Sequence, residues 1–226
     1  MQWPERTLML NKANIALYES MEQLCEPHPL LEQLGSMDGL FTLSKAAASL
    51  RRPPIKDLKS LVKFLEVYEA RILLPLELPA IYWAHQHALR NETRELLKLD
   101  ASIRELPALR EFSSASQRVG QSHLKRLKPL RYERLVQRYI AAVDGGTAAG
   151  WHTLVYGVTL ALYSIPVRQG LVNYARQTFS GFLHSAAKPL RLTEQDCREN
   201  VEHLCVNVRP RIELLLDSKK RTAFGS

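Results

Sequence analysis

Residues 151–163 are apolar on nearly every side: Trp151, Leu154, Val155, Val158, Leu160, Ala161, Leu162 and Tyr163 leave no polar stripe along a helix. A helix of that kind has to be buried all round. Thirteen residues fall short of the about 20 that a bilayer span requires, so the stretch predicts the central helix of a bundle. After Ser164-Ile165-Pro166 a second helix can begin, because proline fits a first helical turn and fits poorly further in. There Leu171, Tyr174, Ala175, Phe179, Phe182, Leu183 and Ala186 recur at the three-and-four spacing of one face. The short connection predicts an antiparallel hairpin over 150–187. Gly157, Gly170 and Gly181 each lower helix propensity by roughly 1 kcal/mol against alanine, and close approach of a neighbouring backbone is the expected return.

The rest of the chain carries the same periodicity. An N-terminal extension, 1–29, has one candidate helix at 11–24, ended by Glu26-Pro27-His28-Pro29. A helical domain over 30–216 follows, and a basic tail, 217–226, reads as flexible. Within the domain, 41–50 is an alanine-rich helix stopped at Arg51-Arg52-Pro53-Pro54. Asp57 is placed to cap a helix whose Leu58, Leu61, Val62, Leu65, Tyr68 and Ile72 form one stripe. Pro75 and Pro79 are expected to interrupt or restart that helix before residues 81–90. Residues 92–99 predict a largely exposed helix; 109–127 and 130–143 predict two more. Thr193 and Asp196 have the spacing of a capping box that opens a last helix, running through Leu204 with a possible continuation past Pro210 to Leu216. No stretch alternates with period two, so the fold class is all-α: a single-domain multi-helix bundle around a central apolar hairpin.

Lys and Arg number 31 against 23 Asp and Glu, a net charge of +8, which points to nucleic acid or an acidic protein surface. The excess is concentrated at the C-terminal end and at 123–138, where Lys125, Arg126, Lys128, Arg131, Arg134 and Arg138 interleave with Tyr132 and Tyr139. Leu124, Leu127, Leu130 and Leu135 take the inward positions there. A solvated helix face covered by long basic side chains is favoured, with an acidic protein surface next. Cys25, Cys197 and Cys205 are odd in number and form no CxxC pair, as in a reducing compartment; Cys197 and Cys205 read as buried small hydrophobes. The N-terminus has neither a basic start nor a long apolar core, so no leader or anchor is indicated and a cytoplasmic protein is expected.

His85 and His87 point to different sides of a helix and read as a surface pair. His152 and His184, at the two ends of the hairpin, can approach each other, but a metal would want further donors, and a structural role is preferred. The chain has no GxSxG, no HExxH and no glycine-rich phosphate loop. No catalytic residue, cofactor or resident metal is expected.

Several stretches, in order, resemble the urease accessory protein F family (UreF). His152-Thr-Leu-Val-Tyr156-Gly157 is similar to its H-x-x-V-[FY]-G, followed by a tyrosine-containing helix ending in Ser185-Ala186-Ala187. LLPLELPAIYWAHQHA resembles the stretch around D-x-P, with Glu77 in place of the aspartate; Leu99-Asp100 and Ser116-Gln-Arg-Val-Gly120 resemble its L-D and S-x-x-x-G elements. Gly35-Ser-Met-Asp-Gly39-Leu-Phe41 is a shortened form of an N-terminal pattern, and the segment from Lys188 to Cys197 lacks the family's glycines. Arg221-Thr-Ala-Phe224-Gly-Ser226 is similar to the terminal R-L-F-R-S. The resemblance implies an all-helical, non-catalytic scaffold that tends to dimerise, binds UreD (also UreH) and recruits the GTPase UreG, so that nickel reaches the urease apoprotein. It implies that Arg221, Phe224 and Ser226 contact a UreD-type partner and that Lys188 lies on the UreG-type surface. His152, Tyr156, Gly157 and Gly120 are expected to hold the fold. Neither a membrane nor nucleic acid is an implied partner.

Overall fold

The computed structural model describes residues 46–106, 109, 113–130 and 132–224, with side chains described as far as Ser218. Among them there is no strand, and the all-helical expectation holds. The helices are α1 (Leu58–Tyr68), a π-helical segment (Glu69–Glu77), α2 (Leu78–Leu89), α3 (Thr93–Arg104), α4 (Ser113–Arg126), α5 (Arg134–Asp144), α6 (His152–Leu162), α7 (Val167–Leu190) and α8 (Glu194–Phe224). The expected helix at 11–24 and the shortened pattern at 35–41 lie outside the described residues.

Local signals set the helix starts. Asp57 caps α1 by accepting from the Ser60 backbone N–H at 2.7 Å, and Ser60 Oγ accepts from the Asp57 N–H at 3.1 Å. Thr193 and Asp196 close the same reciprocal pair at the start of α8, at 2.8 and 3.1 Å. Pro75 does not interrupt the chain as expected. It lies inside the π-helical segment, which joins α1 to α2 without a break. A proline ring collides with the carbonyl four residues back in an α-helix, and the wider π turn moves that carbonyl away. Pro79 sits in the first turn of α2. Likewise α8 passes Pro210 and keeps helical backbone through Phe224.

Burial is organised by two clusters that share α6. The larger joins α1, the π segment, α2, α7 and α8, with Phe64, Tyr68, Phe179 and Phe182 at its centre. The smaller joins α2, α3, α5 and α6 through Leu96, Ile103, Val136, Tyr139, Trp151, Leu154 and Val158. Tyr156 and Leu160 of α6 face the first cluster, and Leu154, Val155 and Val158 face the second. That division is why every residue from His152 to Leu160 is buried.

The hairpin expectation needs correcting in one respect. The principal neighbour of α6 is α2, and that of α7 is α8. Gly157 makes the α2–α6 crossing possible: a Cβ there would lie 2.4 Å from the Ile81 carbonyl oxygen and 2.8 Å from the Ala84 Cβ. A hairpin inferred from a short loop misses this contact because the partner is some 70 residues away in sequence. α6 and α7 still meet where Tyr156 and Leu160 reach Gly170. Of the stretch 92–99, expected to be largely exposed, only Arg94 and Lys98 are exposed and Leu96 is buried, and α3 runs on through the buried Asp100 and Ile103. Of the helix expected over 109–127, the described residues form α4, Ser113–Arg126. Cys197 and Cys205 are buried free thiols on the inner side of α8.

Candidate functional site

Asp100 is fully buried and organises the entry to α6. One carboxylate oxygen accepts from the Ala149 N–H at 2.7 Å; the other accepts from the Gly150 N–H at 3.0 Å and the Tyr139 hydroxyl at 2.7 Å. The Asp100 carbonyl accepts from Trp151 Nε1 at 3.1 Å. Donors from the backbone and from one phenol thus satisfy the carboxylate. Burial and the adjacent Asp100 carboxylate together push the Tyr139 phenol well above its ordinary pKa.

α4 grips the same loop from the other side. Ser116 Oγ accepts from the His152 N–H at 3.3 Å, and Gln121 Nε2 donates to the Ala149 carbonyl at 2.9 Å. Gly120 packs so close that a Cβ would stand 2.1 Å from the Gly150 carbonyl oxygen. Gly150 itself has φ +73°, a conformation that side chains rarely adopt. Three of the elements quoted for the resemblance, L-D, S-x-x-x-G and H-x-x-V-[FY]-G, thus come together in space: Asp100, Ser116, Gly120, His152 and Gly157 form the seat of α6.

Behind that seat runs a buried aromatic and acidic cluster. The His152 ring lies 5.4 Å from His123, 6.1 Å from Tyr156 and 5.8 Å from Tyr174, centroid to centroid. Tyr156 donates to the Gly170 carbonyl at 3.1 Å. Glu77, which stands where the resemblance has aspartate, is buried and accepts from the Tyr68 hydroxyl at 2.9 Å. Burial first, and Glu77 second, raise the phenol pKa values of Tyr68 and Tyr174 well above normal. Beside Glu77 a cavity of about 20 Å³, lined by Ala80, Ser116, Trp151 and Thr153 among others, has the volume of a single water site. This arrangement positions helices.

His152 and His184 do not approach. His184 sits at the α7–α8 turn, with Nδ1 2.8 Å from the Ser180 carbonyl and Nε2 3.3 Å from Glu194. His85 is buried rather than at the surface, and burial lowers its pKa; His87 is paired with Glu92 at 2.8 Å. Among the described residues no three His, Cys, Asp or Glu side chains converge to hold a metal, and no helix is long and apolar enough to cross a membrane.

The residues assigned to partners lie elsewhere. Lys188 is exposed in the last turn of α7, ahead of Arg191, which ends the helix in the left-handed conformation. Arg221 and Phe224 fall in the last turns of α8, and Ser226 lies outside the described residues. α8 also exposes two large apolar side chains, Val206 and Leu214. In the basic run, Lys125, Arg126, Lys128, Arg134 and Arg138 are exposed while Leu124, Leu127 and Leu135 are buried, as expected of a solvated face. Tyr139 is buried against Asp100, which removes one of the two aromatics that a nucleic-acid platform needs. Residue reasoning had no means of finding Asp100, whose partners lie 39 to 51 positions away; only the L-D element pointed to it.

No curated protein sequence matches the chain. The UreF family model matches residues 55–204, from the approach to α1 to the middle of α8 and including the whole seat of α6. With well over half of its length covered by that match, the chain belongs to the UreF family of urease accessory proteins, a family of helpers rather than of enzymes.

Proposed function

We propose that the chain acts in the cytoplasm as an assembly scaffold for urease maturation: as a homodimer it binds a UreD (UreH)-type protein through the end of α8 and presents a UreG-type GTPase with a surface near Lys188, so that nickel is delivered to the urease apoprotein. One observation carries this reading. Asp100, Gly120, His152 and Gly157, which carry three elements of the resemblance, are spent on the seat of α6, which leaves exposed faces to do the work. Arg221, Phe224 and Ser226 lie beyond the matched residues, and their role rests on their likeness to the family's terminal pattern. The exposed Val206 and Leu214 extend the apolar surface along the helix that leads to them. Nickel is cargo in this scheme and needs no resident site on this chain.

The test is co-expression with UreD-type and UreG-type proteins from the same source, followed by size-exclusion chromatography with light scattering. A ternary assembly with two copies of this chain is the expected result. Cutting after Asp217 should abolish binding of the UreD-type protein, and Lys188→Glu should release the GTPase alone. A chain that elutes by itself beside folded partners refutes the scaffold reading; an assembly indifferent to the cut removes Arg221 and Phe224 from it.

A further inference from the structure

Three helix ends converge beside the basic run: the C-terminal ends of α2 (Ala88, Leu89, Asn91) and α6 (Ala161, Leu162), and the approach to α5 (Tyr132, Glu133, Arg134, Leu135). They enclose an open groove of about 490 Å³. Tyr132 is 98% exposed and Leu89 59%, and these are two of the four large apolar side chains left exposed among the described residues. The groove surface is more polar than apolar, with Leu89, Leu162 and the uncovered Tyr132 ring as the apolar side chains on which one anchor side chain can rest.

Positive charge outnumbers negative around it. Arg134 lines it, Arg138 follows one turn along α5, and Arg90 falls between the lining residues Leu89 and Asn91. Among the described residues none of these three arginines is in an ion pair. Of the nearby carboxylates, Glu92 is held by His87, which leaves Glu133 as the acidic side chain in the lining. α5 also starts without a side-chain cap, so its first N–H groups favour an anionic acceptor.

We propose that this groove docks an acidic peptide segment of a partner protein, with an aliphatic or aromatic side chain of the segment against Leu89, Tyr132 and Leu162 and its flanking carboxylates on Arg90, Arg134 and Arg138. Nucleic acid fits less well, because Tyr132 is a single ring without a second stacking partner. The groove is separate from the surface assigned to the GTPase, since Lys188 is about 30 Å along α7 from the end next to Leu162. The inference therefore stands or falls independently of the scaffold reading.

The test pans the purified full chain against a display library of random short peptides, then measures the selected peptides, fluorescein-labelled, by anisotropy at low and high salt. Selected sequences should be rich in Asp and Glu around a Leu, Phe or Trp. Their affinity should fall about tenfold or more in Leu89→Asp and in the double variant Arg134→Glu/Arg138→Glu, and should weaken with salt. Tyr132→Ser, at a side chain that packs on nothing, guards against misfolding and should lose several-fold. Peptides without acidic bias, equal binding by all the variants, or displacement of the peptides by a single-stranded oligonucleotide would each overturn the proposal.

Discussion

Asp100 and Glu69 are both carboxylates buried in the helical core, and the molecule stabilises them in opposite ways. Asp100 receives two backbone N–H groups and a phenol, with no basic side chain paired to it among the described residues. Glu69, at the start of the π segment, is held at 2.8 Å by Arg211 of α8, whose side chain is 55% exposed. The first arrangement fixes a loop by geometry and is hardly open to solvent. The second is a clasp between two helices, accessible from outside and dependent on charge, with Arg168–Glu213 and Arg176–Glu202 as further links from α7 to α8. The difference separates a part of the fold that is permanent from a part that conditions can loosen.

The sharpest way to break this comparison is Asp100→Ala. It strands two backbone donors and the Tyr139 hydroxyl in the interior, and the expected loss is about 3–5 kcal/mol. In a chain of this size that is a drop in Tm on the order of 10 °C. Thermal unfolding followed by circular dichroism reads it directly; a loss under about 1 kcal/mol would mean that the seat does not depend on its carboxylate.

Next come the glycines of the seat. In Gly120→Ala and Gly157→Ala the new methyl meets a backbone carbonyl, at 2.1 and 2.4 Å, so helices must move rather than a side chain tip. About 1–3 kcal/mol each is expected from overpacking, whereas Gly146→Ala, where nothing lies within 4 Å but φ is +73°, tests backbone strain alone. Denaturant midpoints for the three variants separate steric cost from conformational cost.

How much of this was legible in sequence follows the range of the forces involved. The total burial of α6, the caps at Asp57 and Thr193, the inward leucines of 123–138 and the buried Cys197 and Cys205 depend on residues within a turn or two of one another, and spacing alone finds them. The pairing of α6 with α2, the seat of Asp100 and the burial of Tyr139 join residues far apart in the chain. Gly157 signalled a close approach but not what approaches. Pro75 misled because a proline in a helical pattern reads as a break, and the π turn that accommodates it has no signature in hydrophobic periodicity. The groove lined by Leu89 and Tyr132 belongs to three helix ends, so no single stretch displays it.

The clasp should answer to pH. Burial lifts the pKa of Glu69 above its ordinary value of 4.5, and Arg211 offsets part of that rise. A carboxyl whose folded pKa is raised binds its proton more tightly in the folded protein. Its stabilising contribution is therefore complete below about 4.5 and is lost as pH rises through the folded value. Glu69→Gln should gain stability relative to the parent between acid and neutral pH. Arg211→Met should lose about 1–2 kcal/mol at neutral pH, the figure for a buried pair discounted for the exposed guanidinium, and less in acid. Urea unfolding at both pH values decides; a penalty for Arg211→Met that does not change with pH would assign its role to packing of the side-chain stem.

The smallest effect on stability is expected at the exposed face of α8 and at the end of α7. Leu214→Ser and Lys188→Glu remove no buried contact and break no ion pair of the described residues, so each should stay within about 0.5 kcal/mol of the parent. Their value lies in that neutrality. If Leu214→Ser leaves Tm in place yet weakens capture of a UreD-type protein, the apolar surface of α8 is an interface in its own right and binding reaches well inward from Arg221 and Phe224. If capture is unchanged while the cut after Asp217 still abolishes it, recognition is confined to the last turns of the helix and the residues that follow. Either result keeps the contrast between seat and surface, because it ties partner binding to side chains on which the fold does not depend.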